Sequence, residues 1–201
     1  VRSGLITVES YLELLGQTMT RVMRGSGRHK QSVSESSFDA WTKFYKQDAN
    51  ASNAIVSYYA KGSLVALVTD LKLRVETAGR VSLDDIMRAA WDRWGETGQG
   101  MPEDGFEELL VEMAGFDVRD FLDAAVRGTG ELPLETLLQS HGIELHQRRS
   151  QGSGDKGGKP GTADEKREPL NAGVWRYHPV RHEFEVFAWG SSNPWGVYFN
   201  E

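Results

Sequence analysis

Tyr58 and Tyr59, in Ser57-Tyr58-Tyr59-Ala60-Lys61-Gly62, are among the residues whose types could do chemistry. Two adjacent tyrosines entering an apolar helix can bury their rings while one hydroxyl points into a cleft, although composition alone favours a core role for both. The histidines are the next candidates. His141 and His146 stand five apart, the wrong interval for one helix face, and His178 and His182 stand four apart across Pro179 in a turn; both pairs read as surface or structural. No H-E-x-x-H occurs, and no G-x-S-x-G elbow supports a serine triad. The glycines of 152–161 contain no G-x-x-x-x-G-K-[ST], so they read as flexible linker rather than phosphate loop. The basic group Arg21, Arg24, Arg28, His29 and Lys30 reads as a solvated run on a loop. Cysteine is absent, which excludes disulfides, thiolate metal sites and cysteine nucleophiles.

The elements that must position these residues are helical for most of the chain. In 7–24, Tyr11, Leu12, Leu15, Met19, Val22 and Met23 recur at three- and four-residue intervals, the pattern of one buried helix face, with Gly25 as its stop. Residues 25–37 are rich in Ser, Gly and Arg and read as a loop; Phe38, Trp41, Phe44 and Tyr45 then form an aromatic cluster expected to pack on the core. The segment 54–76 is apolar over more than one stripe, as suits a helix buried on most sides. Ser82 with Asp85 makes a capping box in its Asp form ahead of Leu83, Ile86, Met87, Ala90, Trp91 and Trp94. Pro102 to Gly115, Asp117 to Gly128 and Pro133 to Gly142 each carry a further helical pattern. Ile143-Glu144-Leu145-His146 alternates and reads as the start of a strand. The stretch 148–168 then loses its large apolar residues and has the composition of a linker. Short β-type runs at 174–177, 184–187 and 197–199 close the chain, and a unit so small normally belongs to a larger sheet or a repeat array. The reading is a mainly α protein: a helical domain over 1–142, an entry strand and linker over 143–172, and a β-rich tail over 173–201.

With 201 residues, 39% of them hydrophobic, the chain is long enough for one core. The formal charge of −6 argues against non-specific nucleic-acid binding, and no apolar run reaches the roughly 18 residues of a membrane span. A soluble protein is expected, without nucleic-acid or membrane partners. The first residues show no basic stretch followed by an apolar one and no small-residue cleavage site, so no signal peptide is visible in this chain, and the opening Val1 fits a processed chain or a fragment.

Ser34-Glu35-Ser36-Ser37-Phe38-Asp39-Ala40-Trp41, Asn53-Ala54-Ile55-Val56-Ser57-Tyr58-Tyr59-Ala60-Lys61-Gly62, Ser82-Leu83-Asp84-Asp85 and Pro102-Glu103-Asp104-Gly105-Phe106 carry more than periodicity. Together they resemble the helical C-terminal half of the catalytic domain of the glycyl aminopeptidase family, bacterial zinc metallopeptidases with a thermolysin-like catalytic domain followed by a PDZ domain. The resemblance implies removal of N-terminal residues from a peptide substrate, Gly or Ala preferred. In that family two His of an H-E-x-x-H helix and a downstream Glu bind zinc, the motif Glu serves as general base, and a tyrosine stabilises the oxyanion. Tyr59 is similar to the Y-E-K-G tyrosine that plays this part in related aminopeptidases, a partial match with Ala60 in place of Glu; Tyr58 is the competing choice. The ligands and the base lie upstream of the position matching Val1, so this chain is expected to hold no zinc and to be inactive without the N-terminal catalytic half. Gly142-Ile143-Glu144-Leu145 and 154–160 are similar to the entry into the PDZ domain, but the remaining length is too short for it.

The tail is similar instead to a propeller blade of sorbosone-type sugar dehydrogenase-like proteins, through Gly173-Val174-Trp175-Arg176-Tyr177-His178-Pro179, Phe184-Glu185-Val186-Phe187 and Ser192-Asn193-Pro194-Trp195-Gly196. A natural fusion, a misassembled reading frame and an artificial chain would all give a joint near residue 165. Two functions of other classes stand beside the peptidase: a non-catalytic helical interaction module, and a sugar dehydrogenase-like fragment resting on the tail.

Overall fold

The computed structural model describes residues 4–147 and 155–157, together with the backbone of two strands at Gly173–His178 and Glu183–Trp189. Two compact units divide the chain, Leu15–Gly157 and a second made of Val1–Leu14 with Gly158–Glu201. In order, the helices are α1 (Val8–Arg24), α2 (Val33–Phe38), α3 (Ala51–Ala54), α4 (Tyr58–Glu76), α5 (Leu83–Ala90), α6 (Gly105–Ala114), α7 (Arg119–Leu122) and α8 (Leu134–Gln139). α2, α5 and α7 each continue into a π-helical turn, at Ala40–Phe44, Trp91–Gly95 and Asp123–Arg127. Among the described residues no helix is long and apolar enough to cross a membrane.

α4 is the spine because its sequence is apolar on several sides: Leu64, Val65, Val68, Leu71 and Leu73 are all buried. Two clusters form along it. The first joins Met19 and Val22 of α1 to Ala60, Leu64, Val68 and Leu71 of α4 and to Leu134 and Leu138 of α8. The second joins Leu73 at the far end of α4 to Ile86, Leu109, Leu110, Val118 and Leu122. Phe121 packs against both. Each buried Leu- or Ile-sized side chain contributes about 1.5–3 kcal/mol from its removal from water.

Several expectations need correction. The stretch 25–37 is not a loop: Ser26–His29 is a 3₁₀ turn, and α2 begins behind Ser32. The cause is a capping box, in which Glu35 N–H donates to Ser32 Oγ at 3.1 Å and Ser32 N–H donates to Glu35 Oε2 at 2.8 Å. The helix expected over 54–76 is broken at Ile55 to Ser57, since Val56 gives its backbone groups to Gln31 and Ser36 instead of to a helix. Ile143 and Leu145 belong to no strand; they lie against the first cluster, where burial of two alternate side chains replaces sheet pairing. On α5 Ile86 is fully buried whereas Met87, and Trp91 in the π turn after it, are exposed, so the buried stripe is narrower than the apolar pattern.

In the tail, Gly173–His178 and Glu183–Trp189 pair antiparallel as β1 and β2, with a register irregularity between Val174 and Trp175. The remaining linker and tail motifs, including most of 152–161, His182, the Ser191-Ser192-Asn193-Pro194 turn and the 197–199 run, lie outside the described residues.

Candidate functional site

The start of α4 is fixed by buried polar contacts. Ser36 is 1% exposed and donates from Oγ to the Val56 carbonyl at 2.5 Å, while Val56 N–H donates to Oε1 of buried Gln31 at 3.2 Å. Val56 is thus tied at both backbone groups. The next residue, Ser57, caps α4, its Oγ accepting from Ala60 N–H at 3.2 Å. Tyr58 and Tyr59 are then the first two residues of the helix, on a frame that buried hydrogen bonds define.

Lys61, one turn on, is 2% exposed. Its Nζ donates to the Arg28 carbonyl at 3.3 Å, and burial pushes its pKa down, with nearby Glu131 opposing that shift. Arg28 in turn donates from a terminal guanidinium nitrogen to the carbonyls of Met23 (2.7 Å) and Gly25 (2.9 Å), and from Nε to Glu131 at 3.0 Å. His29 also reaches Glu131, at 3.3 Å. Two members of the basic group are therefore partnered rather than solvated, a difference that no local spacing announces because Glu131 lies about a hundred residues away. Val22, Arg28, Lys61, Leu64, Glu131 and Leu134 help line a cavity of about 380 Å³.

Three phenols meet beside this frame. The Tyr45 hydroxyl lies 2.8 Å from that of Tyr59 and 3.1 Å from that of Tyr58. The Tyr58 and Tyr59 rings are 4.2 Å apart, and Phe44 stands edge-on to Tyr58 at 5.1 Å. Trp41 stacks on Tyr45 at 5.0 Å. The aromatic cluster does not pack on the core as expected: Phe38 is 92% and Trp41 78% exposed, while Trp41 and Phe44 pack on Tyr45 and Phe44 also on Tyr58 and Tyr59. Nor are the two tyrosines core residues. Tyr58 is half-buried and Tyr59 is 61% exposed. Hydrogen bonds from Tyr45, then Tyr58, lower the pKa of Tyr59; the bond to Tyr45 is the chief reason that of Tyr58 is raised. The cluster can thus present one polarised O–H to a ligand, which suits the stabilisation of developing negative charge on oxygen. Tyr45 is the member that sequence reasoning passed over as a core aromatic; its interval of 13 from Tyr58 matches no local period.

Within the helical unit, His141 and His146 have separate partners. His141 bonds the Leu137 carbonyl through Nδ1 at 2.9 Å, and His146 pairs with Glu144 at 3.2 Å. His178 is the last residue of β1, and His182 lies outside the described residues. Among the described residues no three His, Asp or Glu are grouped so as to hold a metal ion.

Comparison with known proteins bears on this cluster. Residues 1–65 match the model of the M61 glycyl aminopeptidase family, and both tyrosines fall inside the matched stretch. No curated protein matches the chain. Among solved structures it is similar to the crystal structure of an aminopeptidase N family protein from Idiomarina loihiensis, with 39% sequence identity and a TM-score of 0.74 over 87% of this chain. The chain spans 29% of the length of that protein. The two findings support a fragment of the glycyl aminopeptidase family, and the helical architecture fits the mainly α C-terminal part of such a peptidase.

Proposed function

From a peptidase-family fragment with an exposed tyrosine beside a half-buried one, we propose that the chain supplies the oxyanion-binding wall of a zinc-dependent aminopeptidase that removes N-terminal Gly or Ala from peptides. The observation that carries this reading is Tyr59, exposed at the start of α4 and acidified by its phenol neighbours, within the 1–65 stretch. Attack on a peptide carbonyl places negative charge on its oxygen, and a tyrosine O–H donating to that oxygen favours the transition state over the ground state. Both hydroxyls meet that of Tyr45, and exposure separates them: Tyr59 is 61% exposed and Tyr58 half-buried.

The reading assigns zinc and the general base to a separate N-terminal half of a bacterial, thermolysin-like catalytic domain with a PDZ domain behind it, and it makes this chain inactive alone. Its test is to add that half with zinc and follow release of Gly from a Gly-anilide. Zinc-dependent release is expected, and Tyr59→Phe should lower kcat by roughly 10²–10³-fold, as loss of one oxyanion donor does elsewhere. A complex that demonstrably forms yet shows no release counts against the reading.

A second reading is favoured by the exposed Phe38 and Trp41, since apolar surface of this kind often marks an interaction site. As a non-catalytic helical module the chain would self-associate or bind a partner through these rings. Concentration-dependent mass in light scattering, abolished by Phe38→Ser with Trp41→Ser, supports that alternative; a monomer at all concentrations argues for the first.

A further inference from the structure

We propose that Tyr45 is a positioning residue for Tyr59: its hydroxyl accepts from Tyr58 and donates to Tyr59, leaving the Tyr59 proton as the outward end of a three-phenol chain. This rests on the reading of Tyr59 as oxyanion donor and adds the group that prepares its hydroxyl.

The geometry restricts the choice. A phenol carries one proton, so Tyr45, at 2.8 Å from Tyr59 and 3.1 Å from Tyr58, donates to at most one of them. Donation to Tyr58 would leave Tyr58 as the free donor, but its ring is half-buried between Phe44 and Tyr59. Donation to Tyr59 takes the shorter bond and frees the more exposed proton. The acidities have the same sense. Tyr59 is lowered, first by Tyr45 and then by Tyr58, and these are the titratable groups acting on it; Tyr58 is raised, first by Tyr45. As Tyr59 gives up its proton to a negatively charged oxygen, its own oxygen gains charge, and the bond from Tyr45 strengthens because it becomes charge-assisted.

Tyr45 is held in place to do this. Trp41 stacks on one side of it, Phe44 meets it edge-on at 5.4 Å, and its N–H donates to the Ala40 carbonyl at 2.9 Å, closing the π turn of Ala40–Phe44. π turns recur at functional sites, where the added residue re-aims the side chains after it.

The experiment tracks the Cζ resonances of isotopically labelled tyrosine in this 201-residue chain over pH, assigned with single Tyr→Phe variants. Tyr59 should titrate lowest of the three phenols. Tyr45→Phe keeps the ring and removes the hydroxyl, and should weaken the acidity of Tyr59 by roughly tenfold; Tyr58→Phe should move it the same way by less. An unmoved Tyr59 in a Tyr45→Phe chain whose Tm and helix content are those of the parent overturns the proposal, as does a Tyr58 that titrates below Tyr59. If Tyr45→Phe fails to fold, the titration order in the unaltered chain decides by itself. No turnover enters these readouts: if they come out as expected and Tyr59→Phe still leaves reconstituted Gly release unchanged, the oxyanion reading fails and the phenol chain stands.

Discussion

Ser36 donates to the Val56 carbonyl from a side chain with almost no exposure, one of the contacts that set where α4 starts. Without it the Val56 carbonyl stays buried with its partner gone, a situation that typically costs about 1–3 kcal/mol. Ser36→Ala should therefore lower stability by about that amount in urea unfolding, and it should broaden the Tyr58 and Tyr59 resonances, because Ser57 and the first turn of α4 come directly after Val56. Lys61 makes a pH-dependent contribution of known sign. Its folded pKa is depressed by burial, so the unfolded chain binds the proton more tightly, and stability rises as pH climbs through the window just below the ordinary lysine value of about 10.4. Lys61→Met should flatten that rise in a plot of unfolding free energy against pH.

Capping and close approach govern the elements. Glu35 is held below the usual carboxylate range by the Ser32 N–H and then the Ser32 hydroxyl, and Asp85 by the Ser82 hydroxyl and then its N–H. Both contributions are present above the ordinary carboxylate value of about 4 and are lost as pH falls through the depressed folded values. The Tm of a Glu35→Gln, Asp85→Asn chain should accordingly fall less steeply in acid than that of the parent. The 3₁₀ turn after α1 depends on Gly27, where an added Cβ would come within 2.0 Å of the Ile55 carbonyl oxygen. Backbone on that side has little room to give, so Gly27→Ala should destabilise by about 1–3 kcal/mol, read from the urea midpoint. The same turn supplies the Arg28 carbonyl that Lys61 needs, which couples this glycine to α4.

At the scale of the whole molecule, α4 runs through both apolar clusters and Phe121 touches both, so the helical unit should unfold in one step. Phe121→Ala removes a partly buried ring and should cost less than the roughly 3–5 kcal/mol of a fully buried Phe, yet keep coincident transitions by circular dichroism and tryptophan fluorescence; two separated transitions would mean that the clusters are independent. The helical class, the bounds of α1, the stop at Gly115 in a left-handed turn and the Ser82-Asp85 cap were legible in the sequence, because apolar spacing, glycine and short polar caps act within a few residues. The capping box of Ser32 and Glu35 was equally local and went unread because Gly and Ser around it signalled a loop. The resemblance to the glycyl aminopeptidase family was legible through motif segments such as that around Tyr58 and Tyr59, which fall inside the matched stretch 1–65. Only the tertiary structure decided that Trp41 and Phe38 face outward, that Arg28 meets Glu131, and that Tyr45 joins the tyrosine pair. Each of these is set by which surfaces the chain brings together across long separations, and apolar periodicity carries no information about the partner a ring or a charge will meet.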